Sequence, residues 1–111
     1  MSRNYKLFIE DIAESIRLIE GYIKNISEEQ FKKDVKIQDA VIRRMEIIGE
    51  ASKKIPKSVR EINPNINWKE LSQFRNFMVH SYFEASLTRI WGILANRIPN
   101  IKENINKIKL L

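Results

Sequence analysis

Isoleucines at positions 9, 12, 16, 19, 23 and 26 recur at alternating intervals of three and four through an otherwise polar stretch. That rhythm lines them up along one side of a helix and predicts a long helix over 4–25, with a seam suited to packing on other helices. Ser27 followed by Gln30 has the form of a capping box and predicts a short helix at 28–33. Asp34 can cap a second long helix over 35–54, whose apolar face includes Ile37, Val41, Met45, Ile48 and Ala51. Gly49 interrupts that helix at a cost in stability and offers a place for another helix to approach closely. Pro56 ends the helix and can open a short turn. INPNIN, residues 62–67, reads as a loop, and Asn67 with Glu70 forms a second capping box that starts a helix at Trp68, expected to run to about Tyr82. A further helix is expected over 85–97, with Leu87, Ile90, Trp91, Leu94 and Ile98 on one stripe. Pro99 is expected to break it, and 100–110 to form a last helix around Ile101, Ile105 and Ile108. The pattern predicts an all-α fold, an antiparallel bundle of four to five main helices joined by short connections. There is no internal repeat, low-complexity tract or linker, so residues 1–111 are expected to form a single helical domain. The apolar stripes are broad enough to support a homodimer, although a small monomeric bundle also needs wide apolar faces.

Composition narrows the class. Of 111 residues, 43% are apolar and 31% charged, a globular rather than a disordered balance. Three Gly and three Pro provide few breaks for a turn-rich β fold. The absence of Cys excludes disulfides and thiolate metal sites and suits a reducing compartment. Glu10, Asp11 and Glu14 interrupt the apolar residues near the start, so no signal peptide is expected. No apolar run approaches the ~20 residues of a membrane span. The expected location is cytoplasmic, away from membranes. Twenty Lys and Arg against fourteen Asp and Glu give a formal net charge of +6. Such an excess favours polyanion partners, or is simply a Lys-rich solvated surface.

Few residues have the makings of a reactive centre. The chain has one histidine, His80, which rules out a multi-His zinc site. There is no Gly-rich phosphate loop and no Ser-His-Asp order. A lone helical histidine is commonly structural. His80 stands apart because of its setting, Arg75-Asn76-Phe77-Met78-Val79-His80-Ser81-Tyr82. With eight arginines in the chain, an Arg-x4-His spacing alone carries little information. The longer string resembles the signature of the HEPN superfamily, and specifically its HepT-like ribonuclease toxin family. That signature is a Trp, a short helix, Arg-Asn-x-x-Val/Ala-His-x-Tyr, and later another Trp. IIGEASKK (47–54) is similar to the family's Ile-Ile-Gly-Glu-Ala segment, and INWKELSQFRNFMVHSYF (66–83) to its catalytic segment. Trp91 and the Ile98-Pro99 step fall where the family has a Trp and a Leu-Pro step. The resemblance spans nearly the whole chain and lies in the order and spacing of these segments. The chain departs from the pattern at Ser81, where many members have Gly or Asp. It departs again at Ser72-Gln73-Phe74, in place of a Gly-Met run, and at Glu84-Ala85-Ser86, in place of Gly-Val-Asp. None of these changes touches Arg75, His80 or Tyr82.

The resemblance implies a HEPN-like bundle acting as a metal-independent endoribonuclease on tRNA or mRNA, without a cofactor. It also implies a toxin–antitoxin module, with a minimal nucleotidyltransferase antitoxin that transfers AMP to Tyr82 and so silences the nuclease. A phosphate added there would place negative charge beside the groove that accepts RNA. Tyr82 is otherwise an amphipathic packing residue.

The residue types suit the reaction. RNA carries its own nucleophile, the 2′-hydroxyl. Cleavage without metal needs a proton acceptor for it, a proton donor for the leaving 5′ oxygen, and positive charge at the phosphorane. Histidine titrates near neutrality and serves in proton transfer. Arginine stays charged and presents a planar fork to phosphate oxygens. In a straight α-helix Asn76 and His80 stand about 40° apart, while Arg75 and His80 stand about 140° apart. Either the helix distorts, or Arg75 reaches around, or a second subunit completes the site. The resemblance implies the last, with Arg75 and His80 of two protomers lining one groove in a homodimer or higher even oligomer. Asn76 is expected either to orient the imidazole, to hold a phosphate, or to be an ordinary exposed helix residue. Glu50 is expected to form a buried structural salt bridge with Arg75 or Arg44. Phe74, Phe77, Trp68 and Trp91 are expected in the core, with base stacking a further option.

Three functions therefore compete: an endoribonuclease toxin; a catalytically silent HEPN module that docks a nucleotidyltransferase; and an oligomeric scaffold in which His80 is structural. The intact Arg-Asn-x4-Tyr constellation favours the first, since a silent module has no need of it.

Overall fold

The polar residues read as helix starts are used as such. In the computed structural model, which describes residues 4–79 and 84–111, Asn4 caps α1 (Tyr5–Ile23) by accepting from the Lys6 N–H at 2.9 Å. Ser27 and Gln30 close the full capping box of α2 (Glu28–Lys33), at 3.1 and 2.8 Å. The Asp34 carboxylate accepts from the Ile37 N–H at 3.1 Å and starts α3 (Val35–Lys53). Each cap satisfies an N–H that has no partner inside its own helix. Pro56 opens α4 (Lys57–Glu61), α5 covers Trp68–Gln73, α6 Glu84–Asn96 and α7 Ile98–Asn106. The architecture is an all-helical bundle, and no strand occurs among the described residues.

α1 lies along α3, which also carries α5 and the segment after it on another flank. α6 packs on α2 and α7, and α7 closes back onto α1. The core is the convergence of the stripes: Ile12, Ile16 and Ile19 from α1, Val41, Met45 and Ile48 from α3, Ile90 and Leu94 from α6, and Ile98, Ile101 and Ile105 from α7. Each such side chain contributes about 1.5–3 kcal/mol by leaving water. Ile23, Ile26 and Ile37 are only partly buried.

Three expectations are corrected. The helix from Trp68 does not continue to Tyr82: α geometry ends at Gln73, and Phe74–Val79 form a 3-10 helix. The cause lies in the spacing of Leu71, Phe74 and Phe77, all buried. In an α-helix residues three apart drift by about 60° per step, so Phe77 would point about 120° away from Leu71. At three residues per turn they eclipse, and both phenylalanines reach the core, with ring centroids 6.5 Å apart.

Pro99, in turn, does not separate two helices. It sits in the first turn of α7, where its missing N–H costs nothing, and α7 ends at Asn106 rather than 110. The tail beyond is held by side chains instead. Buried Asn63 accepts from the Lys109 N–H at 2.8 Å and donates to the Lys109 carbonyl at 2.9 Å. The Tyr5 hydroxyl bonds both the N–H and the carbonyl of Leu111. Finally, only half of the Asn67–Glu70 box forms. Asn67 accepts from the Glu70 N–H, but the Glu70 carboxylate is taken by the Arg97 guanidinium in a two-bond fork at 2.8 and 2.9 Å. That hydrogen bonding, more than the charge itself, raises the Arg97 pKa above its ordinary value.

Candidate active site

Arg75 lies on the 3-10 helix where it crosses α3, and Gly49 makes that crossing possible. A Cβ at position 49 would stand 3.0 Å from the Arg75 backbone nitrogen, 3.2 Å from the Arg75 Cβ and 3.3 Å from the Leu71 carbonyl oxygen. Only a residue without a side chain lets the two backbones meet this closely. Gly49 is thus the close-approach point read from the sequence, and it brings Glu50, the next residue of α3, within reach of Arg75. The Arg75 guanidinium donates to a Glu50 carboxylate oxygen at 3.3 Å.

Glu50 was expected to be buried in this pairing, and it is not. The two side chains are 44% and 51% exposed, so the ion pair sits at the surface, where it adds little to stability. It steers the guanidinium without burying it. A guanidinium has five N–H donors, and this contact uses one. Glu46, four residues before Glu50, pairs with Arg43 at 3.1 Å.

The three-fold geometry also separates neighbours. Phe74 and Phe77 take the core-facing side of the 3-10 helix, Arg75 faces α3, and Asn76 faces α6. Asn76 lines a cleft of about 300 Å³ with Gln73, Phe77, Ser86 and Arg89. The Arg89 guanidinium lies over the Phe77 ring, 5.0 Å from its centroid. Arg75 and Asn76, adjacent in sequence, thus open on different flanks of one ridge. The α-helical phase that would put Asn76 and His80 on one face ends before Asn76. His80 and Tyr82 lie outside the described residues.

Sequence patterns did not single out Arg89, Gln73 or Ser86. Their proximity to Asn76 arises from packing α6 against the 3-10 helix, and no local spacing encodes it. The aromatic expectations hold in part. Phe74 and Phe77 are core residues, whereas Trp68 and Trp91 are half-buried at its margin. The Trp68 indole donates to the Asn63 carbonyl at 3.2 Å, and Trp91 packs on Phe31 with ring centroids 5.4 Å apart. A more apolar groove between α1 and α7, of about 520 Å³, shares no residue with the motif. No helix among the described residues is long and apolar enough to cross a membrane.

Known proteins give this geometry a context. The chain matches the family model described as Ribonuclease HepT-like over residues 12–108. It is 41% identical to a Thermococcus cleftensis protein named "Probable ribonuclease HepT", over 98% of this chain and 99% of that protein. It is 43% identical to a Methanocaldococcus jannaschii protein named "Gamma-glutamylcyclotransferase and putative RNase", over 97% of this chain but only 49% of that longer protein. A second protein of that organism, named "Putative RNase", is 41% identical over 96% of this chain and 88% of its own length. No solved structure matches the chain. The matched region runs from the core of α1 past the end of α7 and includes the Arg75–Tyr82 string, and the chain belongs to the HepT-like ribonuclease family.

Proposed function

We propose that the protein is a metal-independent endoribonuclease that cuts RNA by turning its 2′-hydroxyl on the adjacent phosphate, with Arg75 and His80 as the catalytic pair. The proton leaves the 2′-oxygen, that oxygen bonds to phosphorus, and the bond to the 5′-oxygen breaks as it gains a proton. The products end in a 2′,3′-cyclic phosphate and a 5′-hydroxyl. His80 handles a proton, and Arg75 offers fixed positive charge to the phosphorane oxygens. A two-fold dimer would supply two imidazoles to one groove, one to accept and one to donate.

The observation that carries this reading is the state of Arg75. In a chain of the HepT-like family, the arginine of the Arg-x4-His string is half open to solvent, backed by Gly49 and steered by Glu50, with donors to spare. A net charge of +6 supports a polyanionic substrate, and tRNA or mRNA is the expected class. In the same reading the protein is the toxin of a toxin–antitoxin pair, restrained by a minimal nucleotidyltransferase that places AMP on Tyr82.

The test is cleavage of labelled RNA in EDTA by wild type, Arg75→Ala and His80→Ala. Wild type is expected to leave cyclic-phosphate ends, and each variant to lose about 100-fold or more in rate. Equal activity in all three would sink the enzyme reading. A monomer with full activity would remove the dimer from it. After incubation with ATP and the nucleotidyltransferase, a Tyr82→Phe protein that still gains AMP would remove Tyr82.

A further inference from the structure

The cleft between the 3-10 helix and α6 is built differently from the Arg75 surface. Its described walls are two amides (Gln73 and Asn76), a hydroxyl (Ser86), a ring edge (Phe77) and a guanidinium (Arg89), with no carboxylate among them. Arg17, Arg43, Arg75 and Arg97 are each held by an acidic side chain at 3.3 Å or less. Arg89 is held by the Phe77 ring instead, and among the described residues no carboxylate pairs with it. Stacking on an aromatic face orients a guanidinium while leaving its N–H edge open, and an open planar fork suits phosphate oxygens. Neutral amide and hydroxyl groups beside it are the kind that meet the polar edge of a base or sugar without repelling a polyanion. A volume of about 300 Å³ is at the small end of ligand sites and fits about one nucleotide.

We propose that this cleft is a nucleotide-binding subsite, in which Arg89 holds a backbone phosphate of bound RNA other than the one that is cut. Gln73, Asn76 and Ser86 face the sugar or base of the same nucleotide. The ligand class rests on the ribonuclease reading, whereas the cleft itself does not. An RNA strand crossing the 3-10 ridge would meet Arg75 on the α3 flank and Arg89 on the α6 flank. Arg89 would then govern affinity and register rather than the chemical step.

The test uses the full chain and a labelled single-stranded oligonucleotide with 2′-O-methyl riboses, which cannot be cut. Binding is measured across a salt series for wild type, Arg89→Ala, Arg89→Lys and Arg17→Ala. The last removes the same charge from α1. Arg89→Ala is expected to weaken binding about tenfold and to lower the slope of log affinity against log salt by about 0.7, the value for one phosphate contact on a single strand. Arg89→Lys should keep the slope and recover part of the affinity, and Arg17→Ala should bind as wild type does. With cleavable RNA, Arg89→Ala should raise KM while kcat stays within about twofold. Should Arg89→Ala bind like Arg17→Ala, or wild type bind no RNA, the subsite is refuted. If no protein cuts RNA but binding still depends on Arg89, the nuclease reading fails and the subsite stands. If Arg89→Ala cuts with unchanged KM, the subsite fails and the nuclease reading stands.

Discussion

Substituting Gly49 by Ala sets two effects against each other, and the structure says which prevails. Removing a glycine from a helix interior is worth about 0.5–1 kcal/mol. The new Cβ, however, meets the Arg75 nitrogen at 3.0 Å, the Arg75 Cβ at 3.2 Å and the Leu71 carbonyl at 3.3 Å. None of these is the end of a flexible side chain, so no rotamer change relieves the contact. Restoring ordinary separation requires the 3-10 helix to withdraw by about 0.5 Å. Phe74 and Phe77 tie that helix to the core, so withdrawal loosens both rings. Overpacking of this kind costs about 1–3 kcal/mol. The expected net effect is a loss of about 1–2 kcal/mol, or roughly 5–10 °C in Tm for a domain near this size. Because the displaced segment carries Arg75, cleavage should fall about tenfold or more, as misplacement of a positioned group does.

The controls are internal. A Cβ at Gly21 or Gly92 meets nothing within 4 Å, so Gly21→Ala and Gly92→Ala should each stabilise by about 0.5–1 kcal/mol. Thermal and urea unfolding, paired with cleavage of a labelled RNA in EDTA, read all three variants. If Gly49→Ala gains stability like its two counterparts and keeps full activity, the close-approach argument is wrong.

Other positions give simpler outcomes. Asn63→Ala removes the bonds to the Val59 carbonyl and to both backbone groups of Lys109, leaving part-buried backbone unpaired. Urea unfolding should show a loss of about 2–4 kcal/mol, with hydrogen exchange rising first in the last residues of the chain. Ser15 carries a buried hydroxyl with no hydrogen-bond partner, so Ser15→Ala should stabilise by about 1 kcal/mol in the same assay. Glu50→Gln should change unfolding free energy by less than about 1 kcal/mol, since the pair it breaks is half exposed. If Glu50 steers Arg75, the same variant should lower kcat in RNA cleavage, and an unchanged kcat would show that it does not.

The chain's own pattern carried the helices and their starts. Caps at Ser27, Asp34 and Asn67 are local devices, complete within three residues, and the structure uses each one. The isoleucine seam of α1 likewise needs only helical periodicity to declare which side is buried. Gly49 and Glu50 were both noticed, but their consequences depended on where another segment lay. The pairing of Glu50 with Arg75 was foreseen, whereas its exposure was not, because burial is a property of what covers a side chain and not of its neighbours in sequence.

Tertiary packing decided what local rules could not. The switch to 3-10 geometry at Phe74 overrides a sequence that reads as continuous α-helix, because Leu71, Phe74 and Phe77 must all face one core. Glu70 has a place in a local cap and is claimed instead by Arg97, 27 residues away. Arg89 meets Phe77 and Asn76 only because α6 folds back over the 3-10 helix. Periodicity and capping act over a few residues, so a single sequence expresses them directly. Contacts between distant segments exist only once the chain has closed on itself, and there the need to fill one common core sets the terms.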